Sequence, residues 1–171
     1  MKDHGRELRH WVIFAVVAIG ACGGGGGGGP RDDEIVATIE AFWDAVGAPT
    51  DATFQFGYDY QTHKGTTSCQ HLPEDDRWYA QRAAQLNPDV MTQDQLHQAA
   101  INYLDSEGYD VERYRTRSRE APVSLALIGR SNEMIVALSV EPNGSAELAV
   151  RAGPCAVPTY NFGTNLYERV E

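Results

Sequence analysis

Seven consecutive glycines, Gly23 to Gly29, closed by Pro30, form a segment that cannot fold and that stands between the N-terminal leader and the rest of the chain. Glycine has the most backbone entropy to lose and no side chain to bury, so the run is a coil with a reach on the order of 16 Å. Whatever folds must come from residues 31–171, long enough for one domain and short of two. With 42% hydrophobic and 22% charged residues, the chain is ordinary globular material, and one compact core is expected.

Upstream of the glycines, Lys2, Arg6 and Arg9 precede an uninterrupted apolar and small-residue run from Trp11 to Ala21. Charge followed by an apolar stretch is the order of a secretory signal. These residues would cover roughly 16 Å at about 1.5 Å per residue, half the hydrocarbon core of a bilayer, which disfavours a permanent transmembrane anchor. The run ends in Ile19-Gly20-Ala21-Cys22, which resembles the lipobox of bacterial lipoproteins. The resemblance implies that a diacylglycerol group joins the sulfur of Cys22 and that cleavage falls just before it. Residues 1–21 are then a signal peptide, and residues 22–30 are the lipidated cysteine with its polyglycine tether. Two acyl chains give durable attachment where one is marginal. The expected location is outside the cytoplasm, lipid-anchored to the outer face of the cell membrane or to the outer membrane. The alternative is an ordinary signal peptide beside an accidental cysteine.

The formal charge is -10, and removal of residues 1–21, which carry three basic and two acidic groups, leaves -11. A surplus of carboxylates repels phosphate backbones and anionic headgroups, so neither nucleic acid nor a charged bilayer is the expected partner of the domain as a whole. Membrane attachment is assigned to the lipid on Cys22, and the other partner is an envelope protein or polymer.

Residues 32–46 place Ile35, Ile39, Phe42, Trp43 and Val46 at helical spacing behind three N-terminal acids, which predicts an amphipathic helix. Phe54, Phe56, Tyr58 and Tyr60 recur at every second position and predict a strand with one aromatic face, more suited to a core than to stacking on sugars. Residues 61–91 read as a long connection with a short helix near 75–86. Thr92 and Gln95 have capping-box spacing before a second helix carrying Leu96, Ala99, Ala100, Tyr103 and Leu104, with Gly108 as its stop. Four strand-like runs follow, 109–118, 122–129, 133–140 and 145–152, with a turn at Pro142-Asn143-Gly144. The expected fold is α+β in two layers, with two helices on one face of a mainly antiparallel sheet of about five strands. The domain is placed at residues 31–157, and residues 158–171 are set aside as a C-terminal tail.

A lipobox, a flexible spacer, this element order, one cysteine after the first strand and another in Gly153-Pro154-Cys155 together resemble the small LppA-like lipoproteins of the actinobacterial envelope. The resemblance implies an envelope-anchored protein and no particular biochemical activity.

Cys69 and Cys155 are the cysteines left after lipidation, in an exported and oxidising compartment, and are expected to form a disulfide. Free thiols remain the alternative. Cys69 lies near His63 and His71, so a Cys–His nucleophile or a metal site is conceivable, and pairing removes both. No catalytic residue, metal ligand set or cofactor is expected, because the nucleophile elbow, the zinc-protease helix and the phosphate-binding loop are all absent as motifs. A small hydrolase using His71 with Glu74, Asp75 and Asp76 is the enzymatic alternative.

Arg113, Arg115, Arg117 and Arg119 recur at every second position, so on a strand their guanidinium groups share one face while Tyr114, Thr116 and Ser118 take the other. Arginine presents paired donors to phosphate and carboxylate alike, which makes this stripe a candidate anion-binding surface. The plainer reading is a solvated face balanced by Asp110, Glu112 and Glu120. The chain is thus expected to be a membrane-anchored, non-enzymatic binding or scaffold module, with binding of anionic envelope ligands through the stripe as an alternative.

Overall fold

The computed structural model describes residues 29–47, 53–62, 69–86, 91–117, 123–160 and 166–170, with the side chains at 53–57, 86 and 159 left out of account. The signal segment, Cys22, most of the glycine run, His63, Arg119 and Glu120 lie outside the described residues, as do the side chains of Phe54 and Phe56.

Helix α1 (Asp32–Ala45) buries Ile35, Ile39, Phe42 and Trp43, the periodic apolar set of the sequence. Its three acids sit in the first turn, where the helix dipole favours negative charge. Helix α2 (Gln93–Ser106) begins with a complete capping box, with Thr92 and Gln95 satisfying each other's backbone N–H groups. It ends before Gly108, whose φ of 77° is strained for any residue with a Cβ.

Strands β1 (Thr53–Thr62), β2 (Trp78–Leu86), β3 (Asp110–Thr116), β4 (Leu125–Arg130), β5 (Met134–Val140), β6 (Ala146–Ala152) and β7 (Tyr167–Val170) form one sheet in the order β1-β2-β6-β5-β4-β3-β7. Every pairing is antiparallel. The fold is α+β with a mainly antiparallel sheet, and among the described residues its strand count is seven where about five were expected. A short third helix, α3 (Ala156–Thr159), follows β6.

The first unexpected strand is β2, which replaces the helix expected near 75–86; only a single 3-10 turn, Glu74–Asp76, is helical there. Alanine, glutamine and arginine favour a helix locally, but this segment fills an interior place between β1 and β6. Ala80 and Ala84 are fully buried beneath α1, where larger side chains would lift the helix off the sheet. The second is β7, within the residues set aside as a tail, which pairs with β3 from Val170↔Arg113 to Tyr167↔Thr116.

Both long helices lie on one face, α1 over β2 and β6 and α2 over β3, β4 and β5. The main core lies between them and the sheet, built from Phe42, Trp43, Leu96, Leu104, Leu127, Leu138 and Leu148 among others. Phe42 meets Trp43 and Tyr103 edge to face, at centroid distances of 5.2 and 5.4 Å. A smaller core on the opposite face gathers Ala126, Ile128, Ile135, Ala137 and Tyr167, with Tyr114, Val157 and Tyr160 against it. The segment after β6 thus supplies the cover for the second face.

The sulfur atoms of Cys69 and Cys155 lie at disulfide distance, their Cα atoms 5.9 Å apart across 86 residues of sequence. Gly153 makes the approach feasible. Its φ is 132°, and a Cβ there would stand 2.9 Å from the Trp78 carbonyl oxygen. The Cys155 N–H then donates to that same carbonyl.

Candidate functional site

The site is built from the second half of β3. Helix α2 starts where the Gln93 side chain donates to the Val123 and Val140 carbonyls, both at 2.9 Å, and ends where the Tyr109 N–H donates to Leu104. It therefore crosses the sheet from the start of β4 and the end of β5 toward the start of β3. Val111 is packed against the main core, whereas Arg113, Arg115 and Arg117, farther along the same face, are exposed. The three arginines stand on a shelf bounded by α2 on one side and β7 on the other.

Their partners come from β7. The Arg115 Nε donates to Glu168 Oε1 at 2.6 Å, and the Arg117 Nε donates to the Tyr167 carbonyl at 2.9 Å. The Arg113 side chain makes no hydrogen bond or ion pair among the described residues. It faces His97 of α2, whose protonation is disfavoured first by burial and then by the Arg113 charge.

Glu112 does not balance the stripe. It points to the opposite face, where it accepts from Arg130 at 3.2 Å, from Arg169 at 3.1 Å and from the Tyr114 hydroxyl at 2.9 Å. Burial raises its pKa, and these donors together overcome that and hold it below the usual carboxylate range. Asp110, of the same parity, also lies off the shelf side. Glu168 is the carboxylate that meets Arg115, and no sequence signal places it there, because the contact depends on a pairing 53 residues apart.

The remaining arginines have fixed roles. Asp32 is 7% exposed and takes two hydrogen bonds from Arg82, at 2.5 and 2.8 Å. Those bonds hold its carboxyl below the usual range against the opposing effect of burial. Arg31 joins Glu34 and Glu133, tying the start of α1 to the β4–β5 turn. Arg151 lies 3.9 Å from the Tyr79 ring centroid and 5.1 Å from that of Tyr160, with two donors on Gln81 Oε1. Burial lowers its pKa and raises that of the Tyr160 hydroxyl.

His71 is exposed and takes part in no ion pair among the described residues; Glu74, Asp75 and Asp76 are exposed as well. Among the described residues no group of three or more His, Cys, Asp or Glu side chains is placed to hold a metal ion, and no helix is long and apolar enough to cross a membrane. Of the aromatic stripe, Tyr58 packs against the main core and donates to the Pro30 carbonyl at 3.0 Å, while Tyr60 is 42% exposed and tilts against Trp78. Register shifts between Phe54 and Phe56 and between Phe56 and Asp59 interrupt the simple alternation expected of β1. Comparison with protein-family models, with curated proteins and with solved structures finds no match for this chain.

Proposed function

We propose that this chain is a lipid-anchored envelope protein whose domain is a non-enzymatic binding module for anionic ligands, held by Cys22 through its glycine tether. The observation that carries the binding role is the co-facial, exposed placement of Arg113, Arg115 and Arg117 on a chain of net charge -10. An acidic protein that gathers arginines on one exposed shelf has a local field opposite to its global one, and such a field selects and steers anions. The anchor rests on the charged and apolar leader, the Ile19-Gly20-Ala21-Cys22 segment and the spacer behind it. The resemblance to LppA-like envelope lipoproteins agrees with this reading.

Two measurements test it. Cys22→Ala should abolish labelling by a radioactive fatty acid and release the protein from the membrane fraction. Retention of the label would remove the lipid anchor from the reading. Conversion of Arg113, Arg115, Arg117 and Arg119 together to glutamine should abolish retention on phosphate- and carboxylate-bearing envelope fractions. Unchanged retention would remove the shelf as the binding surface.

A further inference from the structure

We infer that the ligand of the arginine shelf is an extended peptide segment of a partner protein with Asp or Glu at alternate positions. The inference rests on the shelf being an anion site, and it adds the chemical class and the spacing of what binds there.

Side chains on one face of a strand repeat about every 6.7 Å, so Arg113, Arg115 and Arg117 form a ladder on the order of 13 Å long. An extended peptide laid along β3 has the same repeat. Its alternate side chains therefore meet successive guanidinium groups without either chain having to bend. The shelf already holds a sample of this chemistry. Arg115 binds the carboxylate of Glu168, and Arg117 binds the main-chain carbonyl of Tyr167, both from the short extended strand β7. A side-chain carboxylate and a backbone carbonyl on an extended segment are peptide groups, and they occupy two of the three described rungs.

Charge density alone favours a phosphodiester polymer, but the net charge of the chain opposes it. A chain of net charge -10 repels a polyanion over its whole length, whereas the shelf attracts only along one strand. A ligand that gains from register suits such a surface better than one that gains from total charge. Glu168 then has a second role as an internal counter-ion that the incoming peptide displaces. The Arg115 and Glu168 side chains are 54% and 42% exposed, so their pairing is weak enough to exchange.

The test is fluorescence anisotropy on the purified full-length protein in detergent at physiological ionic strength. The probes are a peptide alternating Glu with Ser, a peptide of identical composition with all Glu in one block, and an oligo-glycerol-phosphate of equal charge number. The alternating peptide is expected to bind about tenfold more tightly than the block peptide, and Arg113→Gln/Arg115→Gln/Arg117→Gln to lose about tenfold. Glu168→Gln is expected to gain a few-fold by removing the internal competitor. If the triple variant does not fold, the single variant Arg113→Gln repeats the comparison with a smaller loss. Equal affinity for the two peptides, with the arginine dependence intact, overturns the peptide inference and leaves the anion site standing. Tighter binding of the oligo-glycerol-phosphate than of the alternating peptide overturns it in favour of a phosphodiester polymer. Absence of binding by every probe, or binding indifferent to the arginines, overturns the anion site and the inference together.

Discussion

Around β1, β2 and β6 each described arginine is held. Arg82 grips Asp32, Arg151 lies between Tyr79 and Tyr160 with its donors on Gln81, and Arg77 donates to the Leu72 and Gln70 carbonyls beside Cys69. On the shelf at the other margin, Arg113, Arg115 and Arg117 stand exposed, with two contacts to a four-residue strand. The chemistry of the group is the same in both places, and burial separates the two uses. A guanidinium taken from water must be paired or stacked, which makes it part of the fold. One left in water gains little from a partner and stays available to a ligand.

Cys69 and Cys155 close a span of 86 residues and pin the segment before β2 to the turn after β6. Loss of such a cross-link removes roughly 4 to 5 kcal/mol in the chain-entropy model, a large part of the net stability of about 5–15 kcal/mol expected of one domain. The Cys69→Ala/Cys155→Ala variant should show that loss as a shift of its urea midpoint. A shift equivalent to less than about 1 kcal/mol would place the rigidity in Arg77 and its carbonyl partners instead.

Asp32 and Arg82 give the next largest effect. Removing one partner of a mostly buried ion pair strands the other, so Asp32→Asn should cost about 3 kcal/mol near neutral pH, the lower end for such pairs because Arg82 is 20% exposed. The folded-state pKa of Asp32 is depressed, chiefly by the Arg82 hydrogen bonds. Its stabilisation is therefore fully present above the unfolded value of about 4 and is lost as pH falls through that value toward the folded one. Glu34 and Glu112 are shifted in the same direction and add to this acid limb. Melting curves between pH 7 and pH 2 should fall less steeply for Asp32→Asn than for the parent chain. Parallel curves would show that the pair contributes no acid-linked stability.

How much of this was legible in the chain follows from the range of each interaction. The capping box at Thr92 and Gln95 and the stop at Gly108 are local, and the structure has both. Strands β4, β5 and β6 are separated by short turns, so each shows as its own run in the sequence, although only β6 alternates in burial. Strand β2 is hidden because Ala80 and Ala84 suit a helix until a neighbouring helix demands small residues beneath it. Strand β7 is too short to show a period, and its pairing is set by the fold. The counter-ion of the stripe is a different matter. Glu112 has the opposite parity to the arginines, so strand alternation alone excludes it from their face, and that rule was available in the sequence.

If the shelf arginines are a surface held open for a ligand, Arg113→Gln/Arg115→Gln/Arg117→Gln should change stability by no more than about 1 kcal/mol, or roughly 2–4 °C in Tm. Part of even that arises from greater self-repulsion in a chain already at -10. The single variants separate the contributions. Arg113→Gln should leave Tm unchanged, while Arg115→Gln and Arg117→Gln each lose a few tenths of a kcal/mol with the Glu168 and Tyr167 contacts. A loss above about 2 kcal/mol, confined to Arg115 and Arg117, would mean that these side chains clamp β7 to β3 and so belong with Arg82 and Arg151. In that case the shelf is a seam of the fold, and the binding surface must be sought elsewhere.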